Sequence, residues 1–90
     1  MKSFQLDIVT PESSVYSGRV ESVTVPGTDG QFQILYNHAP IISTLGSGKV
    51  VLVDDEGNDQ GFDAKGGVIE VMKNKAIILV EQIVNQEAAA

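Results

Sequence analysis

The chain has a single histidine, His38, and no cysteine, so little side-chain chemistry is open to it. A Ser-His-acid relay would need His38 beside a serine hydroxyl and a carboxylate, and the sequence has many of both. Inventory does not make a relay, however; geometry does, and no G-x-S-x-G elbow is present to hold a nucleophile. Without cysteine there is no thiol nucleophile, disulfide or thiolate metal site. Zinc would have to accept one imidazole and carboxylates in place of its usual nitrogen- and sulfur-rich set. The acidic run Asp54-Asp55-Glu56-Gly57-Asn58-Asp59 invites a calcium reading. It fails the order D-x-[DN]-x-[DN]-G, because Glu56 and Asn58 put neither ligands nor glycine where the loop needs them. "LGSGKV", from Leu45 to Val50, fails the phosphate-loop pattern at Ser43 and again at Val50. A solvated hairpin loop and a glycine turn are the readings left for these two stretches. No cofactor or metal is expected.

Two clusters carry more information. In "YNHAPIIS", residues 36–43, His38 precedes Ala39 and Pro40. Pro40 fixes its own φ and holds Ala39 extended, so the segment is stiff. A rigid, partly apolar loop with a polar tip suits a binding surface, since little ordering entropy is lost on docking. A structural histidine satisfied by backbone groups fits the same residues equally well. "VPGTDGQF", residues 25–32, packs turn-forming residues between two apolar stretches and reads locally as a long hairpin loop.

The elements that must position these clusters are strands. Phe4, Leu6 and Ile8 fall on one face with Gln5 and Asp7 on the other, and Pro11 ends the pattern. A short piece, residues 15–17, closes at Gly18. Val20 then lies on one face and Val23 and Val25 on the other, which places a bulge or bend near Ser22. Phe32 and Ile34 point inward, residues 41–45 and 49–53 are short apolar strands, and another lies around Phe62. Gly66-Gly67 reads as a further break. Residues 68–72 and 76–80 are β-branched runs joined across Lys73-Asn74-Lys75, the pattern of a tight hairpin. Only "NQEAAA" favours helix, and it is too short to hold one alone. Many short strands, frequent turn signals and no amphipathic helix give an all-β sandwich or flattened barrel in one domain. We expect it to span residues 1–84, with 85–90 as a short tail.

Six basic against twelve acidic residues leave a net charge of −6. That opposes a surface for nucleic acid or anionic lipid. "MKSFQLDIVTPE" lacks the unbroken apolar stretch of a secretory signal, and no run approaches the length of a membrane span. A soluble, cytosolic protein is expected, held at any membrane by something else.

The order of spaced motifs is more specific than any single one. Phe4-x-Leu6-Asp7-Ile8-Val9-Thr10-Pro11-Glu12 is followed by Ser17-Gly18. Then come Val25-Pro26-Gly27-x-x-Gly30-x-Phe32-x-Ile34-Leu35 and Asn37-His38-Ala39-Pro40, and later Gly66-Gly67-x-x-Glu70-Val71-x-x-Asn74-Lys75 with "AIILVE". From Phe4 to Glu81 this resembles the epsilon subunit of F-type ATP synthases. The resemblance implies a ten-stranded β-sandwich and a non-catalytic role. Such a domain binds the gamma subunit, and the pair forms the foot of the central rotor on the c-ring, at the cytoplasmic face of a bacterial inner membrane. By resemblance, Thr10, His38, Ala39, Pro40, Ile41 and Ser43 face gamma, and Thr28, Asp29, Gly30 and Gln31 meet the polar loops of the c-ring.

Three departures follow from the same residues. Gln31 stands where the family usually has an acidic residue, which removes a carboxylate from the c-ring contact. Gln33 replaces a usual glycine and is expected on the outer face. The sequence stops at Ala90, about where the family's two-helix C-terminal domain begins, as either a naturally short member or a fragment. By resemblance that hairpin carries the family's brake on ATP hydrolysis and, in some members, an ATP site, and a naturally short member is expected to have neither. The alternatives are a free-standing sandwich binding a small polar ligand or glycan, and a small hydrolase using His38. The first is poorly equipped, with two tyrosines and no tryptophan for stacking.

Overall fold

Every stretch with period-two alternation is a strand in the computed structural model, which describes residues 2–88. In chain order the strands are β1 (Phe4–Val9), β2 (Ser14–Gly27), β3 (Gly30–Leu35), β4 (Ile41–Leu45), β5 (Gly48–Asp54), β6 (Asp59–Met72) and β7 (Lys75–Ala88). Their pairings sort into two layers. One runs β4, the C-terminal half of β6, the N-terminal half of β7, β1 and the N-terminal half of β2. The other runs β3, the C-terminal half of β2, β5, the N-terminal half of β6 and the C-terminal half of β7.

The expectation of ten strands is therefore corrected to seven. β2, β6 and β7 cross from one layer to the other, and counting those three twice yields ten segments. Two of the three crossings, in β2 and β6, occur where the sequence suggested breaks. β2 runs through Gly18, which pairs with Leu6, and slips register between Val20 and Ser22 against β5, the bend expected from the parity switch there. β6 runs through Gly66 and Gly67, whose φ values of +60° and +147° let the strand turn without ending. β7 pairs through Ala88, past residue 84, and residues 89 and 90 lie outside the described residues.

The inward faces meet in one core. Phe4, Leu6 and Ile8 of β1, Val20, Val23 and Val25 of β2, and Ile34, Leu52, Phe62, Ile69 and Ile78 are all buried within it. The three valines of β2 share that core only because the bulge flips their parity. Phe62 is fully enclosed, and truncating a phenylalanine so placed costs about 3–5 kcal/mol. β1 lies parallel to β7, a pairing between distant parts of the chain that closes the first layer. Met72 pairs with Lys75 around Lys73 and Asn74, both with positive φ, so the expected hairpin closes in a tight turn of the I′ kind.

Candidate functional site

His38 sits in the β3–β4 connection, at the end of the sandwich that also holds the β6–β7 turn. The turn forms because Leu35 C=O accepts from His38 N–H at 3.1 Å, with Asn37 at φ +64° in its third position. That is the arrangement of a type II turn, where asparagine is one of the few residues tolerated. Asn37 N–H donates to the side-chain oxygen of Asn74 at 2.7 Å, and Asn74 Nδ2 donates to Asn37 Oδ1 at 3.0 Å. The imidazole Nδ1 lies 2.7 Å from the Ala39 carbonyl, so this nitrogen carries the proton. Among the described residues no serine hydroxyl or carboxylate bonds to the ring, so no relay is assembled around its other nitrogen, Nε2. His38 is half-buried, while Ala39 and Pro40 are exposed. The loop tip lies at the surface, and its histidine is satisfied by a backbone carbonyl, so features of both sequence readings are present.

The remaining residues expected to face gamma are not gathered at one point. Thr10 ends β1 at the opposite end of the same layer, where its hydroxyl accepts from Ser13 N–H at 3.1 Å and Glu12 N–H at 3.3 Å. Ile41 and Ser43 are half-buried and alternate with Ile42 and Thr44, which point outward. Ile41 packs against the core, so its side chain offers only an edge to a partner.

The outer surface of the first layer joins these separated points. Pairing places Ile42 beside Glu70 and Glu70 beside Ile77, and in the next row Thr44 beside Val68 and Val68 beside Leu79. Ile42 is 73% exposed, Met72 53% and Leu79 50%, values that leave large apolar side chains in water. Shallow depressions cross this face, one lined by Pro40, Ile42, Glu70 and Met72, another by Pro11, Val68, Leu79 and Glu81. The apolar face thus runs from the His38 loop to the Thr10 turn. Ile42, Met72, Ile77 and Leu79 were missed in the sequence reading. The available signal was "AIILV": in an antiparallel setting, an unbroken apolar run means that the second face also wants cover.

The hairpin of Thr28, Asp29, Gly30 and Gln31 lies at the far end of β3 from His38, and all four residues are exposed. Gly27 pairs with Gly30 around Thr28 and Asp29. A side chain at Gly27 would collide with Phe32 at 2.7 Å and the Gly30 carbonyl at 2.6 Å, and Gly30 has φ +128°. Glycine is required at both. Thr28 Oγ1 meets Thr44 Oγ1 at 3.2 Å and Gly46 N–H donates to Pro26 C=O at 2.8 Å, which ties the tip to β4. Gln33 is exposed, on the outer face as expected.

Carboxylates elsewhere serve structure. Asp54 caps its own turn, accepting from Asn58 N–H and Glu56 N–H at 2.9 Å each, and the Asn58 bond leads in holding its pKa below the usual value. Asp7 accepts from the Ser17 hydroxyl at 2.6 Å and from Gln5 Nε2 at 3.1 Å. The Ser17 bond is the largest cause of its lowered pKa, opposed by desolvation and aided by Gln5 and by the charge of Lys75. Among the described residues no group of three or more acidic or imidazole side chains is placed to hold a metal ion, and no helix is long and apolar enough to cross a membrane.

Residues 3–86 match the family model for the ATP synthase delta/epsilon chain, β-sandwich domain. An ATP synthase epsilon chain of Chlorobium limicola is 49% identical over 82 residues, covering 91% of this chain and 93% of that one. The epsilon chain of Chlorobaculum tepidum is 46% identical over the same length and coverage. Among solved structures, a chain of the Euglena gracilis mitochondrial ATP synthase (OSCP/F1/c-ring) superimposes with a TM-score of 0.87 at 16% identity. That match covers 93% of this chain and 54% of the other. A chain of the Tetrahymena thermophila mitochondrial ATP synthase central stalk and c-ring gives a TM-score of 0.71 at 17% identity, covering 90% and 65%. This chain therefore spans under two thirds of either solved chain, and at such identity the likeness concerns the fold. With a family model over nearly its whole length and relatives close to half identical, the chain belongs to the delta/epsilon-chain family of ATP synthases.

Proposed function

We propose that the chain is a non-catalytic subunit of the central stalk of an ATP synthase, docking on gamma through the outer face of its first layer. The observation that carries this reading is the largely apolar outer face, with Ile42, Met72 and Leu79 exposed and Ile77 half-buried, bounded by the His38 loop and the Thr10 turn. Burying such side chains is worth about 25 cal/mol per Å² of apolar area, enough to drive association where the partner is complementary. The face also carries charge, with Glu70 between Ile42 and Ile77 and Lys75 beside the β6–β7 turn, which would set orientation more than affinity.

The hairpin of Thr28, Asp29, Gly30 and Gln31 takes the second role, resting on the polar loops of the c-ring. It points away from the His38 end, so one rigid sandwich can hold both partners at once. Ion flow turns the ring, and the foot formed with gamma passes the torque on to the catalytic hexamer, where ATP is made. The sandwich contributes stiffness and no bond-making step. The chain would sit peripherally at the cytoplasmic face of a bacterial inner membrane, kept there by its protein partners. That the Euglena and Tetrahymena structures are ATP synthase assemblies containing a c-ring supports a place beside the ring.

The test is copurification with the cognate gamma subunit. A one-to-one complex stable to size exclusion is expected, and Ile42→Asp should disperse it while the free chain stays folded. A gamma subunit that is folded and never binds the chain would overturn the reading.

A further inference from the structure

The hydrogen bonds between Asn37 and Asn74 join two turns that are 37 residues apart in sequence. Both asparagines are in the left-handed region, with φ +64° and +60°, where glycine would be the least strained choice. Each uses its side chain on the other. In a type II turn the N–H of the third residue has no partner inside the turn, and here Asn37 N–H finds one in Asn74 Oδ1. The Asn74 amide then returns a bond to Asn37 Oδ1, a pairing that fixes which end of that amide is oxygen. The Asn74 main-chain carbonyl accepts from Gln5 N–H at 3.0 Å, so the same residue also anchors the start of β1.

We propose that Asn37 and Asn74 form a two-point latch that sets how His38, Ala39 and Pro40 are presented. Asn74 is a positioning residue that touches no partner itself. The segment between latch and β4 is short and already stiff: Pro40 fixes its exit, and His38 Nδ1 closes on the Ala39 carbonyl. Pinning Asn37 fixes its entry. A loop held at both ends loses little freedom on docking, and the latch therefore acts through preorganisation rather than contact area. It also makes loop presentation depend on the β6–β7 hairpin, so the docking loop and the apolar row of β6 and β7 move as one body. The effect on affinity rests on the docking role proposed above; the latch itself does not.

The test uses Asn37→Gly, Asn74→Gly and the double variant in the full chain, since glycine keeps both positive φ values; Asn74→Gly removes both latch bonds, whereas Asn37→Gly removes only the returning amide bond. Amide hydrogen exchange at Asn37 and His38 in the free chain reads the latch directly. Asn74→Gly should speed exchange there at least roughly tenfold and Asn37→Gly by less, with exchange in the buried strands unchanged. Binding to gamma should weaken roughly tenfold for Asn74→Gly and no further for the double, because losing the Asn74 side chain already opens the whole latch. Unchanged exchange at Asn37 in Asn74→Gly overturns the latch. Faster exchange with affinity unchanged overturns the preorganising role. Additive losses in the double variant overturn the coupling. If the unaltered chain fails to bind gamma, the docking reading falls, and the exchange data still decide the latch.

Discussion

Gly67 marks the place where β6 must leave one layer for the other, and replacing it with alanine tests that crossing. It pairs with Leu45 on one side and Val80 on the other, at φ +147°. A Cβ there would drive into the Leu79 carbonyl oxygen and lie 3.0 Å from Val80 Cα, both main-chain atoms that cannot swing aside. The backbone strain is worth about 1–3 kcal/mol, and the overpacking a further ~1–3 kcal/mol. A domain of this length has roughly 5–13 kcal/mol of stability in all. Gly67→Ala should therefore lower Tm by at least ~10 °C in a circular-dichroism melt. Gly66 provides the internal control. Its φ is +60°, and an added Cβ meets the Glu81 carboxylate at 3.1 Å, a flexible end that can move. Gly66→Ala should cost only about 1–2 kcal/mol. A Gly67→Ala Tm within ~3 °C of the unaltered chain, or a larger loss at Gly66, would refute the crossing geometry.

Ile42→Ala should leave the free chain's Tm within about 2 °C, because that side chain is 73% exposed. Affinity for gamma should fall by roughly 5- to 30-fold, since docking would bury most of an isoleucine worth about 1.5–3 kcal/mol; calorimetric titration of both forms checks this. The folded pKa of Asp7 lies below its unfolded value, so its carboxylate adds stability at neutral pH and loses that contribution as pH falls through the folded pKa, below about pH 4. Asp7→Asn should accordingly have a flatter Tm-against-pH curve between neutral and strongly acid pH, and parallel curves would refute the assignment. Thr28→Pro should weaken any c-ring contact by disturbing the tip, because Thr28 N–H donates to the Thr44 carbonyl at 3.4 Å and its hydroxyl meets Thr44 Oγ1. Pull-down with isolated c-ring reads that loss directly.

Much of the sandwich is legible from local pattern. β1 is written in the alternation of Phe4, Leu6 and Ile8, and the β2 bulge in the parity switch between Val20 and Val23. The Lys73-Asn74 turn is equally plain. What escaped depends on partners distant in sequence. Gly66-Gly67 looks like a stop, yet β7 keeps pairing across it, from Lys65 with Gln82 to Gly67 with Val80, and tertiary pairing overrides the local signal. Residues 85–88 belong to a stretch that looks helical in isolation, but β6 recruits them into β7. At the site, the stiffness of residues 37–40 follows from Pro40 alone. Which of Ile41 and Ile42 faces outward does not, because adjacent isoleucines carry no parity until the register with Glu70 and Val71 is set. The latch was equally hidden, since nothing local connects Asn37 to Asn74.

The most direct measurement of the central claim is a ¹⁵N NMR titration of the labelled chain with cognate gamma, read residue by residue. Perturbations should follow the outer face of the first layer, from residues 37–40 through Ile42, Glu70 and Ile77 to Leu79, and spare Lys49, Val51 and Val53 on the other layer. Perturbations confined to that second layer, or none at saturating gamma, would contradict docking through the apolar face.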